Sequence, residues 1–171
     1  MLETLRERRS IRKYKEQKIE KEKIDKILKA ALLAPSSMNK KPVEFILVDD
    51  KETLLKLEEC KAKGTLGLKT APLAIIVVAD TERSNVWIED ASIASTLIQL
   101  EAQELDLGSC WIQIRNRQSE NGDSEEAVRN VLGLPESYGV LTILTIGYKD
   151  EEKPAYDDSK LNHEKVHYGK F

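Results

Sequence analysis

Sequence patterns predict five helices along the chain, and a face of apolar residues at helical spacing marks the second of them most clearly. The predicted segments are residues 2–9, 19–34, 51–62, 86–106 and 123–132. The second ends at Pro35, because a residue that precedes proline avoids helical geometry, and Asp49 or Asp50 caps the third. The fourth carries apolar residues on more than one face, so we expect it to be buried at the centre of the fold.

The sequence predicts four strands, at Val43–Val48, Leu73–Ala79, Ser109–Ile114 and Val140–Tyr148, of which Leu73–Ala79 is rich in β-branched residues. Leu73–Ala79 is an unbroken apolar run, which is typical of a central strand covered on both faces. Helices and strands mix without a strict βαβ alternation, which predicts a single domain over residues 1–171, either α+β or a three-layer α/β sheet. Residues 149–171 are polar, so we expect them either to fray or to wrap another surface such as a partner subunit.

The composition narrows the class of protein. The chain has 171 residues, and 27 basic against 30 acidic residues leave a net charge of −3, which offers no electrostatic footprint for nucleic acid or an anionic membrane. Its two cysteines, Cys60 and Cys110, form no CxxC pair, which favours a reducing compartment. Met1–Ser10 lacks the apolar core of a signal peptide, and Ala71–Ala79 is too short to span a bilayer. We therefore expect a cytoplasmic globular protein.

Two polar segments carry candidate binding chemistry. Arg8–Lys13 reads RRSIRK, and arginine forks with a serine hydroxyl suit a phosphate group, although a solvated basic face at a helix end has the same pattern. Pro35–Pro42 reads PSSMNKKP and presents hydroxyls, a carboxamide and free N–H groups. This loop fits a ribityl chain or the edge of a heterocycle, or it is an ordinary turn.

Three further features have competing interpretations. His163–His167 reads HEKVH, which matches a zinc-hydrolase motif with Glu164 as the base, but the motif needs a stable helix and lies near the chain end. Gly64–Thr70 suggests a phosphate loop but matches neither glycine-rich pattern, so we interpret it as a flexible loop. Glu89 and Asp90 form either an acid pair or a favourable partner for the helix N-terminus.

Four stretches occur in order along the chain. They are RRSIRKY from Arg8, APSSMNKKP from Ala34, the run from Asp90 through the long helix into LGSCWI at 107–112, and LGLPE, then IGY, then a polar tail ending in VHY. Together they resemble the nitroreductase family of flavin-dependent oxidoreductases, with its signatures RRSxRxF/Y, APSSxNxQP and LGxxWI. The similarity covers nearly the whole chain. Lys40 and Lys41 depart from it, since glutamine is common there.

The resemblance implies an α+β fold with a three-layer α/β/α sandwich, a central mixed sheet, and a homodimer that exchanges its C-terminal tails, residues 149–171. It implies FMN at the subunit interface. By position, the phosphate and ribityl chain are held by Arg8, Arg9, Ser10, Arg12 and Lys160. The flavin ring is lined by Ser36, Ser37, Met38 and Asn39 from the other subunit, and by Trp111, Ile112 and Gln113, with a backbone N–H directed at flavin N5.

The implied activity is that of an NAD(P)H-dependent FMN oxidoreductase. Hydride passes from NAD(P)H to the flavin, and an electron-poor acceptor such as a nitroaromatic or a quinone then takes the electrons in a ping-pong reaction. No catalytic side chain is required, because the cofactor carries the chemistry. The alternatives are a non-catalytic FMN-binding or sensing protein of the same fold and, more remotely, a zinc hydrolase that uses the HEKVH segment.

Overall fold

The computed structural model describes the whole chain, residues 1–171. The α-helices are α1 (Leu2–Glu7), α2 (Lys21–Leu32), α3 (Lys51–Glu59), α4 (Trp87–Glu104) and α5 (Ser124–Leu132). The strands are β1 (Val43–Val48), β2 (Leu73–Asp80), β3 (Leu107–Gln113), β4 (Gln118–Ser119), β5 (Gly122–Asp123) and β6 (Tyr138–Tyr148). Short 3₁₀ helices cover Ser37–Asn39, Leu66–Lys69, Asp158–Lys160 and His163–Lys165. All five predicted helices and all four predicted strands are confirmed, with ends that differ by three residues or fewer.

Four strands form the main sheet in the order β1-β2-β6-β3, and every neighbouring pair in it is antiparallel. The parallel component of the sheet is a single bridge between Ser10 and Ser109, which brings the segment after α1 alongside β3. Strands β4 and β5 form a separate small hairpin, which the alternation of residues did not predict. Both β1 and β3 are therefore edge strands of the main sheet.

Apolar side chains on the two faces of the sheet build two cores. One core joins the sheet to α2 and α4, with Ile27 and Ile98 fully buried. The other joins it to α3 and α5, with Leu57 and Val128 fully buried. Strand β2 supplies alternate residues to both cores, which confirms its prediction as a central strand. The arrangement is a three-layer α/β/α sandwich of the α+β class.

Helix α4 is not buried on all sides in the single chain, so that expectation is wrong. Its inner face, which includes Ala91 and Ile98, packs on the sheet, but Ile93 on the other face is 42% exposed. Helices α1 and α2 flank α4, and they also carry exposed apolar residues. Exposed apolar residues of this layer and of the loop after α2 are Leu2, Leu5, Leu32, Leu33 and Met38.

The segment around Gly64–Thr70 is folded, contrary to its interpretation as a flexible loop. Residues Leu66–Lys69 form a 3₁₀ helix, and Leu68 is fully buried in the second core. Gly67 is also buried, and a Cβ there would lie 2.8 Å from the Thr145 hydroxyl, so glycine permits the close approach. None of the helices combines the length and apolar character needed to cross a membrane.

Candidate functional site

The segment that follows α1 runs along the open edge of β3. The N–H of Ile11 donates to the main-chain oxygen of Ser109 at 2.9 Å, which fixes Ser10 beside Ser109. Ile11 is buried, and it packs so closely on Gly108 that a Cβ at Gly108 would lie 2.8 Å from that of Ile11. The basic segment is therefore not a free helix end: it is docked on the sheet.

The same edge of β3 offers main-chain donors beyond Ser109. Hydrogen bonding alternates along an antiparallel strand, and Ser109 faces away from β6 because its oxygen accepts from Ile11. Trp111 and Gln113, two and four residues further on, thus direct their N–H groups outward. Ile112 faces β6 with its main chain and is 1% exposed in the second core. Of the three predicted ring-lining positions, only Trp111 and Gln113 present donors to the edge.

The side chains of Trp111 and Gln113 are joined to each other. The indole N–H of Trp111 donates to Gln113 Oε1 at 2.9 Å, and Gln113 Nε2 donates to the main-chain oxygen of Arg115 at 2.9 Å. Both side chains lie on the α4 side of the sheet, since Trp111 packs on the first core and alternate residues of a strand share a face. Gln113 therefore uses its carboxamide within the chain and offers a ligand its main chain.

The first part of the C-terminal tail holds the basic segment of its own chain. The pairs are Glu151 with the Arg12 N–H, Lys153 with the Ser10 main-chain oxygen, the Pro154 oxygen with the Arg9 guanidinium, the Tyr156 ring with the same guanidinium at 4.5 Å, and Asp158 with Arg6. The hydrogen bond from the Arg12 N–H holds the pKa of Glu151 below its usual value. Residues 159–171 are all exposed, and wrapping of a partner by the tail stays a prediction.

The predicted phosphate-binding cations differ in their availability. Arg8, Arg12 and Lys160 form no ion pair with a carboxylate, and Arg9 is already engaged by the tail. A polar cleft of about 670 Å³ adjoins this segment. Its lining mixes four cationic with four acidic side chains, so the cleft has no net positive charge that would attract an anion. The free cations lie outside that lining.

The Ser36–Asn39 loop has an unusual backbone. Met38, Asn39 and Lys41 have φ values of 50°, 55° and 48°. These values lie in the left-handed region, which residues other than glycine and asparagine avoid. Such residues cost on the order of 1–3 kcal/mol each and tend to cluster at functional sites. Ser36 Oγ accepts from the Lys41 N–H at 2.9 Å, which closes the loop on itself. One oxygen of Asp90 accepts from the Ser37 N–H at 2.9 Å.

This loop and β3 belong to opposite edges of the main sheet. The loop leads into β1, whose first residue, Val43, pairs with Ala79 of β2. Strands β2 and β6 separate β1 from β3. Neighbouring strands lie about 4.8 Å apart, so β1 and β3 are roughly 14 Å apart across the sheet. One chain does not bring the two predicted groups of ring-lining residues together.

The zinc interpretation lacks the structural context that it requires. Only His163–Lys165 form a 3₁₀ turn and the chain is extended at Val166, so the two histidines do not share the face of an α-helix. His167 packs its ring against Phe171. No group of three or more His, Cys, Asp or Glu side chains is placed to bind a metal ion.

Neither cysteine is an activated nucleophile. Burial raises the pKa of the Cys60 thiol to about 11, and it also raises the pKa of Cys110. Both are small buried side chains that pack in the interior.

A family model for the nitroreductase family matches residues 5–69 and 62–148, which together span most of the chain. The chain belongs to the nitroreductase family. A solved structure from Clostridium difficile, described as an FMN-dependent nitroreductase, is 57% identical, with a TM-score of 0.97 and complete coverage of both chains. This agreement confirms the nitroreductase fold.

Two curated relatives carry names that bear on activity. A protein of Archaeoglobus fulgidus, provisionally named NADH dehydrogenase/NAD(P)H nitroreductase, is 39% identical over 169 residues, which cover 96% of this chain and 94% of that protein. An FMN reductase [NAD(P)H] of Bacillus subtilis is 28% identical over 191 residues, which cover 98% of this chain and 74% of that protein.

Sequence reasoning missed the residues that hold the predicted site residues in place. The tail partners Glu151, Lys153 and Tyr156 have no local signal, because their contacts join segments about 140 residues apart. Asp90 did carry a signal, since it is an acidic residue that lies next to the apolar Ala91 within a helix predicted to be buried. Because an acidic residue near a helix N-terminus is already favourable, its position gave no indication of the contact with Ser37.

Proposed function

We propose that this member of the nitroreductase family is an FMN-dependent oxidoreductase that takes electrons from NAD(P)H. The observation that carries the proposal is the open edge of β3, where outward N–H groups of Trp111 and Gln113 continue the line of the docked basic segment. An extended ligand with an anionic end and a flat polar ring fits such an edge. The names of the relatives, which include an FMN-dependent nitroreductase and an FMN reductase [NAD(P)H], favour FMN as this ligand.

The phosphate end of FMN is assigned to the basic segment. Arg8 and Arg12 have guanidinium groups without a carboxylate partner, and Ser10 adds a hydroxyl. Charge-assisted hydrogen bonds to phosphate are the strongest that these side chains form. Lys160 supplies a further cation from the tail, two residues after the Asp158 that Arg6 binds. Arg9 orders the segment through Pro154 and Tyr156, and its contact with phosphate stays a prediction.

The ring end is assigned to Trp111 and Gln113, with a main-chain N–H donating to flavin N5. The remaining ring-lining residues, Ser36 to Asn39, come from a second copy of the chain, because the width of the sheet separates them from β3 within one copy. The protein is thus a homodimer with FMN at its interface. The exposed apolar residues of α1, α2 and α4 support such an interface, since a monomer rarely exposes so many.

The reaction is hydride transfer from NAD(P)H to the cofactor, followed by reduction of an electron-poor acceptor at the same position in a ping-pong sequence. FMN, when bound, supplies the redox chemistry, and the protein binds and orients it. The buried thiols of Cys60 and Cys110 are too weakly acidic to act as nucleophiles. The protein therefore contributes main-chain donors and cations, as a reaction without a side-chain acid, base or nucleophile requires.

A spectrum of the purified protein tests the cofactor. We expect flavin absorbance and release of about one FMN per chain, identified by chromatography against FMN, FAD and riboflavin standards. A colourless protein that does not bind added FMN would refute the assignment.

A steady-state assay with NADH or NADPH and a quinone tests the activity. For a ping-pong sequence we expect parallel lines in double-reciprocal plots of the initial rate. The non-catalytic alternative, an FMN-binding or sensing protein, predicts bound FMN that neither pyridine nucleotide reduces. Anaerobic bleaching of the flavin by NADH or NADPH separates the two, because it needs no acceptor.

A further inference from the structure

Residues 36–41 are attached to the rest of the chain by a single hydrogen bond. The other hydrogen bonds of these residues close within the loop, from Asn39 and Lys40 to Ser36 and Ser37 and from Lys41 to Ser36. The exception is the N–H of Ser37, which donates to Asp90 Oδ1 at 2.9 Å. A loop with three left-handed residues needs an external restraint, because its backbone disfavours this conformation.

The Asp90 carboxylate is buried although it accepts only this one hydrogen bond. It is 4% exposed in the first turns of α4, and its second oxygen, Oδ2, is buried without any hydrogen-bond partner. A buried carboxylate oxygen without a donor is unfavourable, and such atoms are rare in folded proteins. The neighbouring Glu89 is exposed and takes part in none of these contacts. The helix N-terminus alone does not explain why an acid is buried at residue 90 when Glu89 offers the same charge in water.

We propose that Asp90 is the positioning residue of the cofactor site. It fixes the Ser36–Asn39 loop in its left-handed conformation through the Ser37 N–H, so that the loop is already shaped to receive the flavin ring in the neighbouring subunit. This inference rests on the proposed function, since it gives the loop its role in FMN binding.

Hydrogen–deuterium exchange tests the restraint without any cofactor. In the apoprotein of an Asp90→Ala variant, amides in peptides covering residues 36–41 should exchange about tenfold faster or more, because their only external hydrogen bond is lost. Asp90→Asn keeps an oxygen that accepts from Ser37, and it should restore most of the protection. Glu89→Ala, which removes the same charge one residue away, should leave exchange unchanged. Equal exchange in all four proteins would overturn the proposal.

FMN titration by fluorescence quenching tests the consequence for the site. We expect about tenfold or greater weakening in Asp90→Ala, recovery in Asp90→Asn and no change in Glu89→Ala. Circular dichroism of each apoprotein separates this effect from unfolding. If wild-type protein fails to bind FMN, the proposed function fails. If wild type binds FMN and Asp90→Ala binds equally well, only the role of Asp90 fails.

A pair of substitutions at Ser37 separates the role of its N–H from that of its hydroxyl. Ser37→Ala deletes the hydroxyl and keeps the N–H, whereas Ser37→Pro deletes both. Ser36 has φ −138° and ψ 153°, which a residue before proline readily adopts, and Ser37 is the first residue of a 3₁₀ helix, a position that proline tolerates. Relative to Ser37→Ala, Ser37→Pro should weaken FMN binding in wild type and have no further effect in the Asp90→Ala background. Additive effects would show that the Ser37 N–H does not act through Asp90.

Discussion

Arg12→Ala gives the most direct test of the phosphate assignment. The Arg12 side chain is exposed, and within the chain it makes only a long hydrogen bond of 3.4 Å to the Ser10 main-chain oxygen. Its removal should therefore leave the fold intact. A hydrogen bond between charged groups is worth about 1.5–3 kcal/mol, which at 1.4 kcal/mol per tenfold corresponds to about 10- to 150-fold weaker FMN binding.

Titration of apoprotein by flavin fluorescence measures this loss, with riboflavin as a second ligand that lacks the phosphate. Arg12→Ala should weaken FMN binding and leave riboflavin binding nearly unchanged. Lys13→Ala is the matched control, because Lys13 is an exposed neighbour of equal charge whose side chain forms no ion pair. The reasoning is refuted if Lys13→Ala has an equal effect, or if Arg12→Ala weakens FMN and riboflavin binding alike.

Three further outcomes are expected. Gly108→Ala places a Cβ 2.8 Å from that of Ile11, so it should displace the basic segment. We expect a lower melting temperature in a thermal scan and weaker FMN binding. No change in either would show that Ile11 repacks freely. The pKa of Glu151 is lowered in the folded protein, mainly by the Arg12 N–H, so its stabilising contribution is present above the ordinary carboxylate pKa and is lost as pH falls through the lowered value. After correction for the intrinsic pH dependence of amide exchange, protection of the basic segment should fall over that acidic range, and Glu151→Gln should flatten the dependence. Truncation after Lys160 removes the exposed apolar end of the tail, including Tyr168 at 93% exposure, and should shift the protein towards monomer at low concentration in analytical ultracentrifugation.

The basic segment contacts the tail of its own chain and is also the proposed binding site for the phosphate of FMN. The tail contacts that hold Arg6, Arg9 and Ser10 belong to the same chain, so the segment is ordered before any ligand or partner binds. Preorganised binding groups lose less conformational freedom on binding than mobile ones. Arg9 therefore anchors the tail, whereas the guanidinium groups of Arg8 and Arg12 have no carboxylate partner.

Local sequence determined the secondary structure and the layers of this protein. The apolar run Leu73–Ala79 predicted a central strand, and β2 indeed supplies both cores. Asp50 and Asp123 cap α3 and α5 with side-chain hydrogen bonds of 2.8 Å and 3.0 Å, and the prediction that Asp49 or Asp50 caps the third helix is confirmed for Asp50. These features depend on neighbours within a few residues, so periodicity and capping chemistry suffice to find them. The ordered motifs likewise identified the family, although the acceptor and the cytoplasmic location stay predictions.

Only the tertiary structure decided which chemical groups face a ligand. The sequence treats Trp111, Ile112 and Gln113 alike, but the contact between Ile11 and Ser109 sets which main-chain donors point outward. Nor does the sequence show that the Arg9 guanidinium stacks on the ring of Tyr156. Contacts of this kind join residues about 100 to 150 positions apart, and they exist only because the sheet and the tail bring those segments together. Residue types determine what each group can bind, and long-range packing determines which of them remain free to do so.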